Sequence, residues 1–75
     1  MNDVAPMQPN EIFDLIVKAD EKLKYATPER GDARAAQARA LLERARAAAR
    51  AIGNDALIAH AETRLADLDA SGGDD

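Results

Sequence analysis

The strongest constraint on what this chain can fold into is the stretch from Ala33 to Ile52, which reads ARAAQARALLERARAAARAI. Alanine and arginine are among the best helix formers. The stretch has no glycine or proline, and its first β-branched residue is Ile52 itself. It therefore predicts one long α-helix, and the rest of the chain can be interpreted as packing on that helix.

Helical periodicity divides this predicted helix into three faces. The apolar face, which is expected to be buried, holds Ala38, Leu41, Leu42, Ala45, Ala48, Ala49 and Ile52. The opposite face holds Glu43 and the arginine stripe, which consists of Arg39, Arg46 and Arg50. The alanine strip beside them consists of Ala33, Ala36, Ala40, Ala47 and Ala51. Small side chains would let another backbone approach closely, so this strip is either a solvated surface or a second packing surface.

A first helix is predicted before this one, over residues 11–26. Pro9 and Asn10 form a helix-start signal, because the Asn10 side chain can accept hydrogen bonds from the free amides of the first turn. Thr27 and Pro28 close the helix, since proline cannot continue it and disfavours helical geometry in the residue before it. The face expected to be buried holds Ile12, Leu15, Ile16, Ala19, Leu23 and Ala26, with Phe13 at its edge.

Glycine and asparagine residues mark the joints of the long helix. Gly31 is expected to interrupt the chain before it, with Asp32 as the N-cap. A helix running unbroken from Pro28 stays open as an alternative, since one glycine costs only about 1 kcal/mol. Gly53 is expected to end the long helix in the left-handed conformation, and Asn54 to cap the next helix. A joint this short predicts an antiparallel hairpin.

The third predicted helix covers residues 55–69. It forms the hairpin with the long helix, residues 33–52. Its apolar face holds Leu57, Ile58, Ala61, Leu65 and Leu68. Leu41 and Leu65 are expected to lead the two buried faces that the joint brings together. The sequence thus predicts an all-α fold, a three-helix bundle of antiparallel neighbours over residues 10–70. A flexible leader, 1–9, and a flexible acidic tail, 71–75, are expected to flank it.

The core of such a bundle is expected to be thin. The helical part holds about fourteen large apolar side chains, and most of the other hydrophobic residues are alanines, which bury little area each. A chain of 75 residues also buries a modest fraction of its surface. We therefore expect stability to depend on helix propensity, close packing or self-association, and we predict a homodimer.

The net charge of −4 is unevenly distributed along the chain. Residues 33–52 hold five arginines and one glutamate, whereas residues 55–70 hold four acidic residues and one arginine. The two helices of the predicted hairpin therefore have opposite charges. We expect them to pair, although each exposed ion pair contributes only about 0–1 kcal/mol.

The residue types argue against catalysis. The chain has no cysteine, and its carboxylates are scattered over three predicted helices without a close acidic pair or a histidine that would hold a metal. The only histidine, His60, has no nucleophile or second ligand near it in the pattern and is expected at the surface. We therefore expect no enzyme activity, no metal site, no cofactor and no small-molecule substrate.

The chain also shows no targeting or membrane-spanning pattern. No stretch approaches the roughly 18 continuous apolar residues of a membrane span. The first residues lack the basic start and apolar run of a secretory signal. We expect a cytoplasmic protein without membrane association.

The residues predicted to contact a partner are Val17, Tyr25, Arg39, Arg46, Arg50, Ala40 and Ala47. Val17 and Tyr25 project among charged residues, although single exposed hydrophobic residues are common without any function. The predicted partner is another protein or a second copy of the chain. A small nucleic-acid-associated regulator that uses the arginine stripe is the alternative. The acidic total, the scarcity of aromatic residues and a joint shorter than that of a helix-turn-helix argue against it.

One segment resembles a known family. Residues 41–68, LLERARAAARAIGNDALIAHAETRLADL, are similar to the boundary between two units of the tetratricopeptide-like helical repeats of bacterial regulators. The similarity lies in the alanine-rich helix, the Ile-Gly-Asn-Asp joint and the residues Leu57, Ala61 and Leu65. The Trp/Leu-Gly-Tyr pattern of the repeat's first helix is missing from the helix that begins at Asp55. Three helices also make only one and a half repeat units, whereas about three units are usually needed. The resemblance implies protein recognition through helical faces.

Overall fold

Three α-helices make up the computed structural model, which describes residues 6–24 and 31–72. Helix α1 spans Pro9–Lys24, α2 spans Gly31–Ala51 and α3 spans Asp55–Gly72. No β-strand occurs in these two segments. The predicted all-α class and the three-helix bundle are confirmed.

Helix α2 lies between the other two helices, and each packs against it in antiparallel orientation. Arg39, near the start of α2, pairs with Asp69, near the end of α3, whereas Arg50 pairs with Glu62, nearer the start of α3. Helices α1 and α3 make far fewer contacts with each other than either makes with α2. The contact between α1 and α3 is therefore the smallest of the three helix–helix contacts in the described segments.

The core consists of aliphatic side chains of very different sizes. Its buried residues are Ile12, Leu15, Ile16 and Ala19 from α1, Ala38, Leu42, Ala45 and Ala49 from α2, and Ala61, Leu65 and Leu68 from α3. Helix α2 thus contributes mainly alanines, which allow its two neighbours to come close. The larger side chains of α1 and α3 fill the remaining space, and each contributes about 1.5–3 kcal/mol when fully buried.

Leu41 and Leu23 are less buried than predicted. Leu42 is completely buried, whereas Leu41 is only partly buried and packs against the edge of the core. One residue turns a helix by about 100°, so Leu41 lies on the flank of α2 rather than on its central stripe. Leu65 is buried as predicted. Leu23, predicted to be buried, is 37% exposed and lies one helical turn after Ala19, the last buried residue of α1.

The start of α1 also corrects the prediction. The helix begins at Pro9, and the carbonyl of Gln8 accepts hydrogen bonds from the amides of Glu11 and Ile12. The Glu11 carboxylate in turn accepts a hydrogen bond from the Gln8 amide at 2.8 Å. Gln8, not Asn10, is therefore the N-cap residue. Proline favours the first helical position, since its φ is already suitable and it has no N–H to satisfy.

Helix α2 begins earlier than predicted as well. Gly31 and Asp32 are both helical, so Asp32 lies in the first turn rather than at the cap. A carboxylate in the first turn still interacts favourably with the positive end of the helix dipole. The predicted end of α1 at Ala26 and the question of an unbroken helix from Pro28 concern residues outside the described segments.

The joint between α2 and α3 has the predicted geometry. Gly53 has a φ of +67°, and its amide bonds to the carbonyl of Arg50 at 3.1 Å. The amide of Asn54 bonds to the carbonyl of Ala49 at 2.9 Å, which completes a Schellman motif. The side-chain oxygen of Asn54 then accepts a hydrogen bond from the amide of Leu57 at 3.1 Å and caps α3.

The limits of the predicted domain shift at both ends. Pro9, assigned to the leader, starts α1, and α3 continues to Gly72 rather than ending at Asp69. No proline stops α3 there, and Ala70 is a strong helix former, so the helix continues into the segment predicted as a tail. The rest of the predicted leader and tail, residues 1–5 and 73–75, lies outside the described segments.

Candidate functional site

Arg39 and Arg50 of the arginine stripe lie beside α3 rather than on the side of α2 opposite the core. Arg39 pairs with Asp69, and Arg50 pairs with Glu62 at 3.1 Å. Helices α1 and α3 pack on two sides of α2, so the surface of α2 that they cover extends beyond its apolar residues. The arginine stripe therefore lies along one edge of the core. The opposite charges of the two helices do pair, as their layout predicts. These side chains are 41–66% exposed, so each pair is worth only about 0–1 kcal/mol.

Arg46 is the member of the stripe that has no such partner. It is half-buried, and it makes no ion pair or side-chain hydrogen bond with any residue of the described segments. Of the three predicted contact arginines, the structure thus assigns two to the α2–α3 interface and leaves one for another contact.

The alanine strip lies on the side of α2 that faces solvent. All five of its members, including the predicted contact residues Ala40 and Ala47, are exposed. Neither α1 nor α3 covers this side of α2. Small side chains offer little apolar area for a partner, so the strip alone gives no strong binding site.

A second surface, which we call the α1–α3 seam, is formed by Phe13, Val17 and Asp20 of α1 with His60 and Arg64 of α3. The rings of Phe13 and His60 lie 5.8 Å apart between centroids, at an interplanar angle of 47°. Asp20 pairs with Arg64 at 3.1 Å. Helical spacing places Val17 between Phe13 and Asp20, and Val17 is half-buried. These contacts connect α1 to α3 beside the core.

The α1–α3 seam covers its apolar side chains incompletely. Phe13 is still 47% exposed, and the Nε atom of Arg64 is buried without a hydrogen-bond partner in the described segments. His60 is half-buried against Phe13, so its predicted place at the open surface is corrected. Phe13 was recognised in the sequence only as the edge of a buried face, because its exposure depends on how far α3 stands from α1. Tyr25, also predicted as a contact residue, lies outside the described segments.

A third surface, which we call the α1–α2 groove, lies on the flank of α1 away from α3. It is lined by Lys18, Glu21, Lys22, Arg34 and Leu41 and has a volume of about 430 Å³. Lys18 pairs with Asp14 at 3.2 Å, one turn earlier on α1. None of these lining residues was predicted to contact a partner. The spacing of Lys18 and Lys22, one helical turn apart, was a usable signal, but Arg34 joins them only through the packing of α2.

A neighbouring groove continues this one past Lys18. It is lined by Met7, Asn10, Glu11, Asp14, Leu15, Lys18 and Arg44. Its two carboxylates balance its two cations. Of the two grooves, only the α1–α2 groove therefore has an excess of positive charge among its described lining residues.

The described segments contain no group of three or more histidine, cysteine, aspartate or glutamate side chains placed to hold a metal ion. Nor does any helix within them combine the length and the hydrophobicity that crossing a bilayer requires. No protein-family model matches the chain, and no curated protein and no solved structure is significantly similar to it.

Proposed function

We propose that this chain is a small, non-catalytic helical module that contacts other protein chains, and that a second copy of itself is its first partner. The observation that carries the proposal is the α1–α3 seam, where Phe13 remains 47% exposed beside half-buried Val17 and His60. Aromatic side chains are enriched at protein interfaces, because they bury a large area when a partner covers them. The proposed location is the cytoplasm.

The size of the core supports self-association. Of the buried residues in the described segments, only Ile12, Leu15, Ile16, Leu42, Leu65 and Leu68 are larger than alanine. A domain of this length seldom gains more than about 3–5 kcal/mol from one such core, and association is a common supplement. A two-fold dimer through the α1–α3 seam would bury Phe13 of both copies in one contact.

The resemblance of residues 41–68 to tetratricopeptide-like repeats stays a prediction that agrees with this proposal, since those repeats recognise proteins through helical faces. The hairpin at Gly53 and Asn54 is the structural feature that the two would share.

Nucleic-acid association is the second candidate. Its support is Arg46, which has no acidic partner in the described segments. Against it, Arg39 and Arg50 are engaged with carboxylates of α3, and a phosphate would have to displace Asp69 or Glu62 to reach them. A polyanion bound at the arginine stripe would also lie close to the acidic helix α3, which would repel it. We therefore place protein interaction first.

Light scattering over a wide concentration range tests the proposal. We expect the mass of a dimer at high micromolar concentration, and a melting temperature that rises with concentration, since association stabilises the folded state. Phe13→Ala should shift the mass towards the monomer. Phe13→Leu, which keeps most of the apolar area, should retain more of the dimer and serves as the control.

A monomer at high micromolar concentration, with a cooperative melt that is independent of concentration, would contradict self-association. A dimer that Phe13→Ala leaves intact would instead show that another surface forms the contact.

A further inference from the structure

The α1–α2 groove combines positive charge with an apolar floor on a chain of net charge −4. We propose that it binds an acidic protein segment that also presents an apolar side chain, with carboxylates on Lys22 and Arg34 and the apolar group on Leu41. The groove lies on the opposite flank of α1 from the seam. The proposal thus adds a second site, of stated partner chemistry, to the proposed interaction function on which it rests.

Among the described residues, the positive charge of the groove is not balanced. Lys18, Lys22 and Arg34 face a single lining carboxylate, Glu21. Lys18 has Asp14 as its partner, whereas Lys22 and Arg34 make no ion pair with any residue of the described segments. Both are half-buried, so they have already lost part of their hydration. A bound carboxylate would restore favourable interactions to them at little further cost in desolvation.

The floor of the groove explains why the partner needs an apolar group as well. Leu41 is half-buried, packs on the core and lines the groove, so part of its side chain faces the space between α1 and α2. Covering that surface contributes about 25 cal/mol per Å² of apolar area removed from water. A volume of about 430 Å³ lies at the small end of the range for ligand pockets, which suits a few side chains of a segment rather than a whole domain.

The same features disfavour a nucleic acid as the occupant. A phosphate backbone follows an extended basic surface, but the positive charge here ends at Lys18. The adjoining groove presents Glu11 and Asp14, which would repel successive phosphates. None of the described residues that line the two grooves is aromatic, so none of them can stack on a base. A short acidic segment needs only Leu41 and the two cations that have no ion-pair partner in the described segments, Lys22 and Arg34.

Fluorescence anisotropy with a labelled synthetic peptide tests the inference on the full chain. The probe is an acidic peptide of about twelve residues with three leucines at helical spacing, and we expect saturable binding with a Kd of tens of micromolar at low salt, weakening as salt screens the charges. The double variant Lys22→Gln, Arg34→Gln should bind about tenfold more weakly, since two ion pairs are lost. Arg46→Gln removes one positive charge from α2 outside the groove and should leave the Kd unchanged.

Two altered probes separate the contributions. The peptide with serines in place of the leucines should bind at least about fivefold more weakly, because it leaves Leu41 uncovered. The peptide with lysines in place of its acids should not bind. Circular dichroism of each variant checks that the helices are retained.

The inference is overturned by the absence of saturable binding up to about 1 mM, by equal losses in the double variant and in Arg46→Gln, or by an oligonucleotide that binds more tightly than the peptide. Light scattering on the same samples separates this result from the proposed function. A dimer that does not bind the peptide would refute the groove alone, whereas a monomer that binds it would refute self-association alone.

Discussion

The backbone amide of Asn54 donates a hydrogen bond to the carbonyl of Ala49 at 2.9 Å, so the residue that caps α3 also closes the end of α2. Because Asn54 has both roles, only Ile52 and Gly53 lie between the last residue of α2 and the cap of α3. This short joint fixes the direction in which α3 leaves α2, and thereby brings Glu62 and Asp69 opposite Arg50 and Arg39. The joint is thus the local feature on which the α2–α3 pairing depends.

Replacing Gly53 should destabilise the protein through its backbone angle alone. A Cβ at this position would meet no atom within 4 Å, but the φ of +67° is unfavourable for residues other than glycine. We expect Gly53→Ala to lower the free energy of unfolding by about 1–2 kcal/mol. Gly31→Ala is the control, since Gly31 is helical with equally open surroundings, and it should be neutral or stabilising by up to about 1 kcal/mol. Urea denaturation measures both, and equal effects would refute the explanation.

Leucine truncation should distinguish the centre of the core from its edge. Leu42→Ala removes a completely buried side chain and should cost about 3–5 kcal/mol, and Leu65→Ala about 2–4 kcal/mol. Leu41→Ala should cost less than either, because part of that side chain already faces the α1–α2 groove. Chemical denaturation of the three variants checks the order. A larger loss for Leu41→Ala than for Leu42→Ala would show that the buried face is misassigned.

Enlarging an alanine should matter only where a helix packs against it. Ala45 is completely buried between α2 and its neighbours, so Ala45→Leu should force the helices apart at a cost of about 1–3 kcal/mol. Ala47→Leu adds the same atoms on the exposed alanine strip and should change stability by no more than about 0.5 kcal/mol. Thermal melting at low concentration compares the two. A large effect of Ala47→Leu would indicate that the strip is covered in solution.

The arginine stripe should be dispensable for folding. Changing Arg39, Arg46 and Arg50 together to glutamine removes two exposed ion pairs, and glutamine is nearly as good a helix former, so the loss should stay near 1 kcal/mol. High salt should reduce the difference from the unaltered chain.

The same triple variant tests the alternative function. We expect the unaltered chain to bind duplex or single-stranded nucleic acid no more tightly than about 0.1 mM at physiological salt. Micromolar binding that the triple variant abolishes, with a salt slope reduced by about one unit per lost contact, would favour a nucleic-acid role over protein interaction.

Features that depend on a few neighbouring residues were determined by the sequence itself. The long helix α2, the left-handed Gly53 and the cap at Asn54 were predictable because propensity, φ and capping hydrogen bonds act over one turn. The cap at Gln8 is local too. It was missed because asparagine is the better intrinsic cap, whereas the preference of Pro9 for the first helical position decided the register.

Features that depend on which helix lies on which flank were decided only by the tertiary structure. Periodicity placed Leu41 and Leu42 on the same face, but α1 and α3 approach α2 from two sides, which buries Leu42 and leaves Leu41 to line a groove. It placed the arginine stripe opposite the core, whereas α3 draws Arg39 and Arg50 to its carboxylates. Arg34 beside Lys22, and Phe13 beside His60, come from distant parts of the chain. A helical pattern states how residues are arranged around one axis, and burial and pairing depend on the distance and angle to a second axis that the pattern does not contain.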